Sequence, residues 1–358
     1  MTQTILHYLT QWMWLSDSFV HGPIAASRYR ATVVSRMPVT NSHVYPPPAG
    51  LISLDSQAPA EGAAAASAVI SRLDGSRPVL VHLHHGYCLP DASALARALD
   101  IPLVVSFWGY DVTALPRKEP KRLMPLLTAL DMAVVPSRFL AEIVRNLGIE
   151  PARIRVVPGS VEQRFFDPTP LPAEPRVTFI GRFVPKKGID VLLAAWPLVR
   201  KAVPGAELTL LGYGDGAPSS DPKSGLKVHT PDPIDPRGQV LSLIRRCRVY
   251  VSPSTTGPDG DSESQHIGNI EAQAAGRVVV TTNHGAIPEF IENELTGIVV
   301  AEGDHAALAA ALIAALSDSP RWQTLSNNAA TAARRFEVER IREAHAHLYA
   351  ELIQGGKY

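Results

Sequence analysis

Two glutamates, Glu263 and Glu271, are separated by seven residues in Asp261-Ser262-Glu263-Ser264-Gln265-His266-Ile267-Gly268-Asn269-Ile270-Glu271-Ala272. They follow a strand-like run, Arg248-Val249-Tyr250-Val251-Ser252-Pro253-Ser254, and precede Ala-rich helical sequence. That places them where a helix begins at the carboxyl end of a strand, which is where open α/β sheets bind ligands. Free N–H groups at a helix start attract anions and polar oxygens, and Glu271, about two helical turns past Glu263, reaches another part of the same ligand. A ligand with two sets of hydroxyls fits. Taken alone, the pair reads equally as one solvated acid and one helix-capping acid. About eighty residues upstream, Val177-Thr178-Phe179-Ile180-Gly181-Arg182 leads to Lys187-Gly188: a buried strand, a glycine turn, then two cations five apart. Arg offers a planar fork and Lys a compact charge, a pair suited to diphosphate oxygens, although isolated cations are usually surface charges.

Apolar runs bounded by turn residues and separated by helical stretches recur at 5–14, 31–35, 79–84, 103–107, 132–135 and 154–157. The alternation restarts at 177–180, 207–211, 227–229, 249–252, 278–281 and 297–300. Short buried strands alternating with amphipathic helices predict a parallel sheet covered on both faces, built twice. Residues 167–175 carry four prolines and should run extended as a linker. The Pro/Ala-rich segment 45–66 reads as a loop and the start of the next helix. The expected organisation is a first domain over 1–166, the linker over 167–175, a second domain over 176–335, and a long terminal helix within 336–358.

A chain of 358 residues, 46% hydrophobic and 19% charged, suffices for two α/β domains of about 150 residues each. There are 15 basic against 12 acidic residues in 1–166 and 19 against 22 in 167–358. This asymmetry is too small for a nucleic-acid partner, though a slightly basic first domain suits an anionic membrane surface. Cys88 and Cys247 give neither a metal knuckle nor a disulfide framework, so reduced cytosolic thiols are expected. The first fourteen residues lack a basic n-region and read as a strand rather than a signal peptide. No apolar run reaches the roughly 18 residues of a membrane span.

In order, Gly181-Arg182 with Lys187-Gly188, Leu210-Leu211-Gly212-Tyr213-Gly214, Glu263 with Glu271-Ala272, and Asn283-His284-Gly285-Ala286-Ile287-Pro288-Glu289 resemble the donor-binding half of the retaining glycosyltransferases of family 4. Upstream, Val134-Val135-Pro136-Ser137-Arg138-Phe139, Val156-Val157-Pro158-Gly159-Ser160-Val161-Glu162 and Phe165-Phe166-Asp167-Pro168 are similar to further landmarks. The likeness covers most of 107–303, and several landmarks in order are more specific than any one motif. Asp259-Gly260-Asp261 and Leu15-Ser16-Asp17-Ser18-Phe19-Val20 look like the subgroup that builds colanic acid and related exopolysaccharides.

The resemblance implies a GT-B fold: two doubly wound Rossmann-like domains facing across a cleft, acceptor-binding then nucleotide-sugar-binding, with the C-terminal helix returning to the first. It implies sugar transfer from a UDP- or GDP-linked donor to a saccharide or lipid-linked acceptor in bacterial surface polysaccharide synthesis. The protein would work in the cytoplasm or at the inner face of the membrane, without cofactor or divalent metal. Arg182 and Lys187 would stabilise the leaving diphosphate, Glu263 would contact the donor sugar and Glu271 the ribose. Gly181, Gly214, Ser264, Gln265, His266 and Ile267 would complete the donor site, with the nucleobase on the loop 230–235. Ser264 and His266 stand where glycines are frequent, and Asp259 and Asp261 read as loop residues.

On the acceptor side, His82-Leu83-His84-His85-Gly86 resembles the family's cleft-facing His-x-His-x-Gly turn, with His84 the candidate. Zinc is the alternative for three histidines, disfavoured because no further Cys or acid is close in sequence. Trp108, in Phe107-Trp108-Gly109-Tyr110-Asp111, replaces a histidine that in many relatives contacts the donor sugar, and Trp cannot take a proton. Tyr110 and Asp111 are polar candidates beside it, Asp111 equally a cap. Ser16 and Asp17 replace twin glycines and could bind acceptor hydroxyls or cap a helix. Other readings are an epimerase on the same architecture and a catalytically weakened nucleotide-sugar binder. An NAD oxidoreductase is disfavoured because neither half has a Gly-x-Gly-x-x-Gly turn.

Overall fold

The computed structural model describes residues 2–25, 27–54, 60–75, 77–317 and 319–355. The chain divides into two units, one of 1–160 plus 338–358 and one of 161–337. The crossovers thus fall at Ser160/Val161 and Glu337/Val338, where the sequence reading put them at 166/167 and 335/336.

Among the described residues, the first unit carries β1 (Thr4–Leu9), β2 (Arg30–Ser35), β3 (Gly50–Ser53), β4 (Leu80–His84), β5 (Leu103–Ser106), β6 (Met132–Val135) and β7 (Ile154–Val156). Every pairing is parallel, in the order β3-β2-β1-β4-β5-β6-β7, with His7 opposite His82 and Leu9 opposite His84. One face packs Leu6, Tyr8, Leu83 and Val105 against helices that include Leu89–Leu99. The other face packs Ile5, Val104, Met132 and Val134 against Ile341, Leu348, Tyr349 and Leu352 of the terminal helix Val338–Gly355. That helix therefore returns to the first sheet. Fully burying each such aliphatic side chain stabilises by about 1.5–3 kcal/mol.

Two expectations need correcting here. The first strand ends at Leu9 rather than at residue 14. Trp12 leaves the ladder because its N–H goes to Ser35 Oγ (2.9 Å) and its indole N–H to the Tyr45 carbonyl (2.9 Å), so the apolar residues beyond Leu9 are buried by a turn. Within 45–66, read as loop and helix start, Gly50–Ser53 forms the edge strand β3; residues 55–59 of that segment lie outside the described residues.

The second unit carries β8 (Arg176–Ile180), β9 (Glu207–Leu211), β10 (Leu226–His229), β11 (Val249–Ser252), β12 (Val278–Thr282) and β13 (Ile298–Val300). Its order is β10-β9-β8-β11-β12-β13, again parallel throughout. The order reverses between β8 and β11, the switch point where α/β sheets open a crevice. The proline-rich segment lies within this unit. The fully buried Arg277 guanidinium donates to the Thr169 carbonyl and hydroxyl, and Arg248 donates to the Pro172 carbonyl (3.1 Å). Cys88 and Cys247 are free and buried. Among the described residues, no helix is long and apolar enough to cross a membrane.

Candidate functional site

In the second unit the chemistry gathers on loops at the carboxyl ends of β8, β11, β12 and β13. After β8, Gly181 N–H donates to the Leu211 carbonyl (3.0 Å), extending the ladder before Arg182 turns out to solvent. The single turn Pro185–Lys187 follows and ends on Gly188 at φ +62°. A Cβ at Gly188 would sit 1.8 Å from the Pro253 carbonyl oxygen, so only glycine lets this turn lie on the segment after β11. That approach, with Thr255 N–H on the Lys186 carbonyl (2.8 Å), carries Lys187 to the acidic motif.

Lys187 Nζ lies 2.6 Å from Glu263 Oε1, which also accepts from Ser254 Oγ (3.1 Å). Lys186 Nζ lies 2.7 Å from Asp261 Oδ2. Asp261 is thus an ion-pair partner rather than only a loop residue. Burial opposes charge on Glu263, but Lys187, Lys186 and His266 outweigh it and hold its pKa well below the usual carboxylate range. Burial, then Lys186 and Arg182, lower the Lys187 pKa against the opposing Glu263. Arg182 has no carboxylate partner among the described residues, so the cluster of Arg182, Lys186 and Lys187 against Asp261 and Glu263 keeps a positive surplus.

His266 caps the helix Ile267–Ala274, accepting from Asn269 N–H (3.3 Å), and burial lowers its pKa to about 3. Ser264 and Gln265 are buried in the segment before the cap, and Ile267 is the first helical residue. Two turns into the helix, Glu271 is buried and bonded to the Arg237 guanidinium, which also reaches Glu162. Burial raises the Glu271 pKa, with Arg237 opposing. Arg237 comes from the helix Pro236–Arg246, capped by Asp235 just after the loop 230–235. Gly214 sits past β9 at φ +130°, where an added Cβ would meet the carbonyl oxygen of Phe183, the residue after Arg182, at 2.9 Å. The sequence reading missed Lys186, Ser254, Arg237, Glu162, His284 and Glu302. Lys186 had a local signal in its place beside Lys187, and Glu162 and His284 in the landmark motifs that contain them.

In the first unit the candidate residues separate. His84 is buried, its Nε2 3.0 Å from His7 Nδ1, and burial holds both pKa values far below the histidine norm, His7 at about 3. His84 therefore belongs to the core. His85 takes the outward position, at φ +68°, half-buried among Trp14, Tyr87 and Trp108 (ring centroids 5.8, 5.9 and 6.4 Å). Its Nε2 lies 3.8 Å from the buried Asp17 Oδ2. Burial opposes charge on His85, but Asp17 and then Asp111 prevail and raise its pKa. Both Asp111 oxygens are occupied by backbone N–H groups of Gly86, Trp108 and Gly109 (2.9–3.2 Å), so this carboxylate holds two loops together. Trp108 packs on Phe19 (4.4 Å), Tyr110 Oη accepts from Lys118 (2.7 Å), and Ser16 is exposed with its hydroxyl on Asp17 (3.3 Å).

Among the described residues, ring nitrogens of His7, His82 and His84 come within 4.8 Å of one another. His82 is occupied on both sides, by the Tyr349 hydroxyl (2.5 Å) and the Ser106 hydroxyl (2.8 Å), while His7 and His84 bond each other. The three rings read as a buried hydrogen-bonded cluster joining sheet to terminal helix.

Comparison with known proteins covers both units. Residues 24–164 match the family described as Glycosyltransferase Family 4, and residues 174–318 match Glycosyl transferases group 1. The structure aligns with that of Anabaena Alr3699/HepE, crystallised with UDP, at a TM-score of 0.78 over 98% of this chain and 100% of that one, with 16% identity. Sucrose-phosphate synthase from Thermosynechococcus elongatus aligns at 0.75 over 99% and 100%, with 19% identity. The fold is GT-B, and the chain is related at low identity to family 4 glycosyltransferases. Among curated relatives, the amylovoran biosynthesis glycosyltransferase AmsK of Erwinia amylovora is 27% identical over 65% of this chain and 60% of its own length. The putative colanic acid biosynthesis glycosyltransferase WcaL of Escherichia coli is 29% identical over 51% and 47%. The chain thus spans about half to three-fifths of the length of these relatives.

Proposed function

We propose that this chain is a retaining glycosyltransferase that moves a sugar from a nucleoside diphosphate donor, UDP-linked in first preference, to a saccharide or lipid-linked saccharide of a bacterial surface polysaccharide. The observation that carries it is the charge arrangement after β8 and β11: an exposed Arg182 with no carboxylate partner among the described residues, near the Lys187–Glu263 pair, with Glu271 two turns into the adjoining helix. A surplus positive charge beside a carboxylate suits a ligand that is anionic at one end and hydroxylated at the other. UDP in the HepE crystal structure supports uracil over guanine.

In this reading Arg182 and Lys187 face the diphosphate, Glu263 the donor sugar, and Glu271 with Arg237 the ribose hydroxyls. The bond between anomeric carbon and phosphate oxygen breaks with its electrons on the leaving diphosphate, where the cations hold the charge without need of a divalent ion. The acceptor oxygen bonds the same face of that carbon, and its proton passes to the leaving phosphate oxygen, so no protein base is required. The half-buried rings of Trp14, His85, Tyr87 and Trp108 offer faces for a saccharide acceptor, with Asp17 as polar neighbour.

Calorimetric titration with UDP, GDP, UDP-glucose and GDP-mannose, in EDTA and again in magnesium, tests this reading. Metal-independent micromolar binding of one nucleotide series, weakened in both Arg182→Ala and Glu271→Ala, is expected. Absence of binding to any of them, or binding indifferent to both substitutions, sinks it.

A further inference from the structure

We infer that His284 is a positioning residue for Glu263, held in one tautomer by Glu302; the inference rests on the donor-site reading of Glu263. Lys187 and Ser254 fix the Glu263 carboxylate, but its backbone is fixed from the other side by the segment after β12. Glu263 N–H donates to His284 Nε2 (3.2 Å), and the Glu263 carbonyl accepts from Ala286 N–H (2.8 Å). Between them Gly285, at φ +52°, lies so close that a Cβ would meet the Glu263 carbonyl oxygen at 2.4 Å. The segment therefore lies flat on the Glu263 peptide.

The ring's protonation follows from its partners. A backbone N–H can only donate, so Nε2 is bare and the proton of the neutral ring sits on Nδ1. Nδ1 lies 3.0 Å from Glu302 Oε2, which accepts that proton's hydrogen bond and so selects the tautomer. The other Glu302 oxygen accepts from Thr256 N–H (2.6 Å), two residues past the Ser254 that holds the Glu263 carboxylate. The links close a circuit, Glu263 to His284 to Glu302 to Thr256 and through Ser254 back to Glu263, with members after β11, β12 and β13. A proton on Nε2 instead would set N–H against N–H and push the Glu263 peptide off the segment that orients it. A carboxylate that must meet particular sugar hydroxyls tolerates little such displacement.

Two measurements test this. Long-range proton–nitrogen NMR of ¹⁵N-histidine-labelled protein reads the tautomer directly: His284 with a protonated Nδ1 and bare Nε2 is expected, and the reverse overturns the inference with no ligand present. Glu302→Gln keeps an oxygen for Thr256 and turns an N–H toward Nδ1, so the ring should flip to the Nε2–H form in a folded protein. Binding of UDP should then persist while the preference for UDP-glucose over UDP falls about tenfold, the size of one lost hydrogen bond to a charged group. His284→Ala should do the same, with thermal melting as the check on folding. Preserved preference in both variants overturns the positioning role. Failure of the wild type to bind UDP or UDP-glucose overturns the donor reading instead, and the tautomer spectrum still decides the relay.

Discussion

The loops at the carboxyl end of the second sheet and those at the same end of the first differ in what holds them. In the second unit, charges meet at hydrogen-bond distance: Lys187 on Glu263, Lys186 on Asp261, and Arg237 across Glu162 and Glu271. In the first, aromatic rings surround an ion pair that stays open at 3.8 Å, and the nearby carboxylate of Asp111 is used up by backbone. A ligand of fixed charge, the same in every turnover, rewards a set of preplaced ions. A ligand recognised by ring faces and hydroxyls is served by shape, which small changes can retune. Under the proposed function, the contrast fits donor chemistry in one unit and acceptor variety in the other.

The sharpest way to break this contrast is Lys187→Ala. It removes the positive charge nearest Glu263 and leaves a buried carboxylate with less compensation, so turnover of the donor should fall roughly a hundredfold or more. Donor consumption at saturating acceptor measures it, and a loss below about tenfold would place the essential charge elsewhere.

The next test is acid, which should act on the first unit before the second. His7, His82, His84 and His345 are buried with lowered pKa values, so each stays neutral when folded but takes a proton when unfolded below about pH 6.5. Their stabilisation is complete above that pH and is lost as pH falls toward the folded values, by up to about 1.4 kcal/mol per histidine per pH unit. In the second unit, His266 adds one such group, while the lowered Glu263 pKa gives stability present above about pH 4.3 and lost only below it. Urea unfolding between pH 7.5 and 4.5, read by probes in each unit, should show the first weakening faster. Equal slopes would refute the cluster's role.

The smallest effect concerns His85. Since Asp17 raises its pKa against burial, Asp17→Asn should lower it. An NMR titration of His85 checks this, and an unchanged midpoint would mean that Asp111 alone sustains the charge.

How much of this was legible in the sequence follows from range. The strands of both sheets are short apolar runs between turns, and Arg182, Lys187, Glu263 and Glu271 stand in local patterns that a linear reading can see. The edge strand Gly50–Ser53, only partly buried, lies in a Pro/Ala-rich stretch with no alternation to announce it. The opposite error came at residues 10–14, where Trp12 and Met13 are buried by a turn in which Ser35 satisfies the Trp12 N–H. Arg237 with Glu271, and His284 with Glu302, are pairs across different elements; Glu271 and His284 stand in motifs, but nothing local marks Arg237 or Glu302 as their partners. His84 and His85 show the finest failure: one residue of register separates the core from the surface.

The return of the helix Val338–Gly355 to the first sheet has a consequence for synthesis. A chain emerging from its amino end presents the first seven strands long before the helix that covers one of their faces, with Ile5, Val104, Met132 and Val134 waiting bare. The second unit is continuous in sequence and can close while the first is still open. The order of completion is thus the reverse of the order of appearance, and the interval in which that apolar face is uncovered is set by how long the ribosome takes to translate 161–337 and the helix that follows.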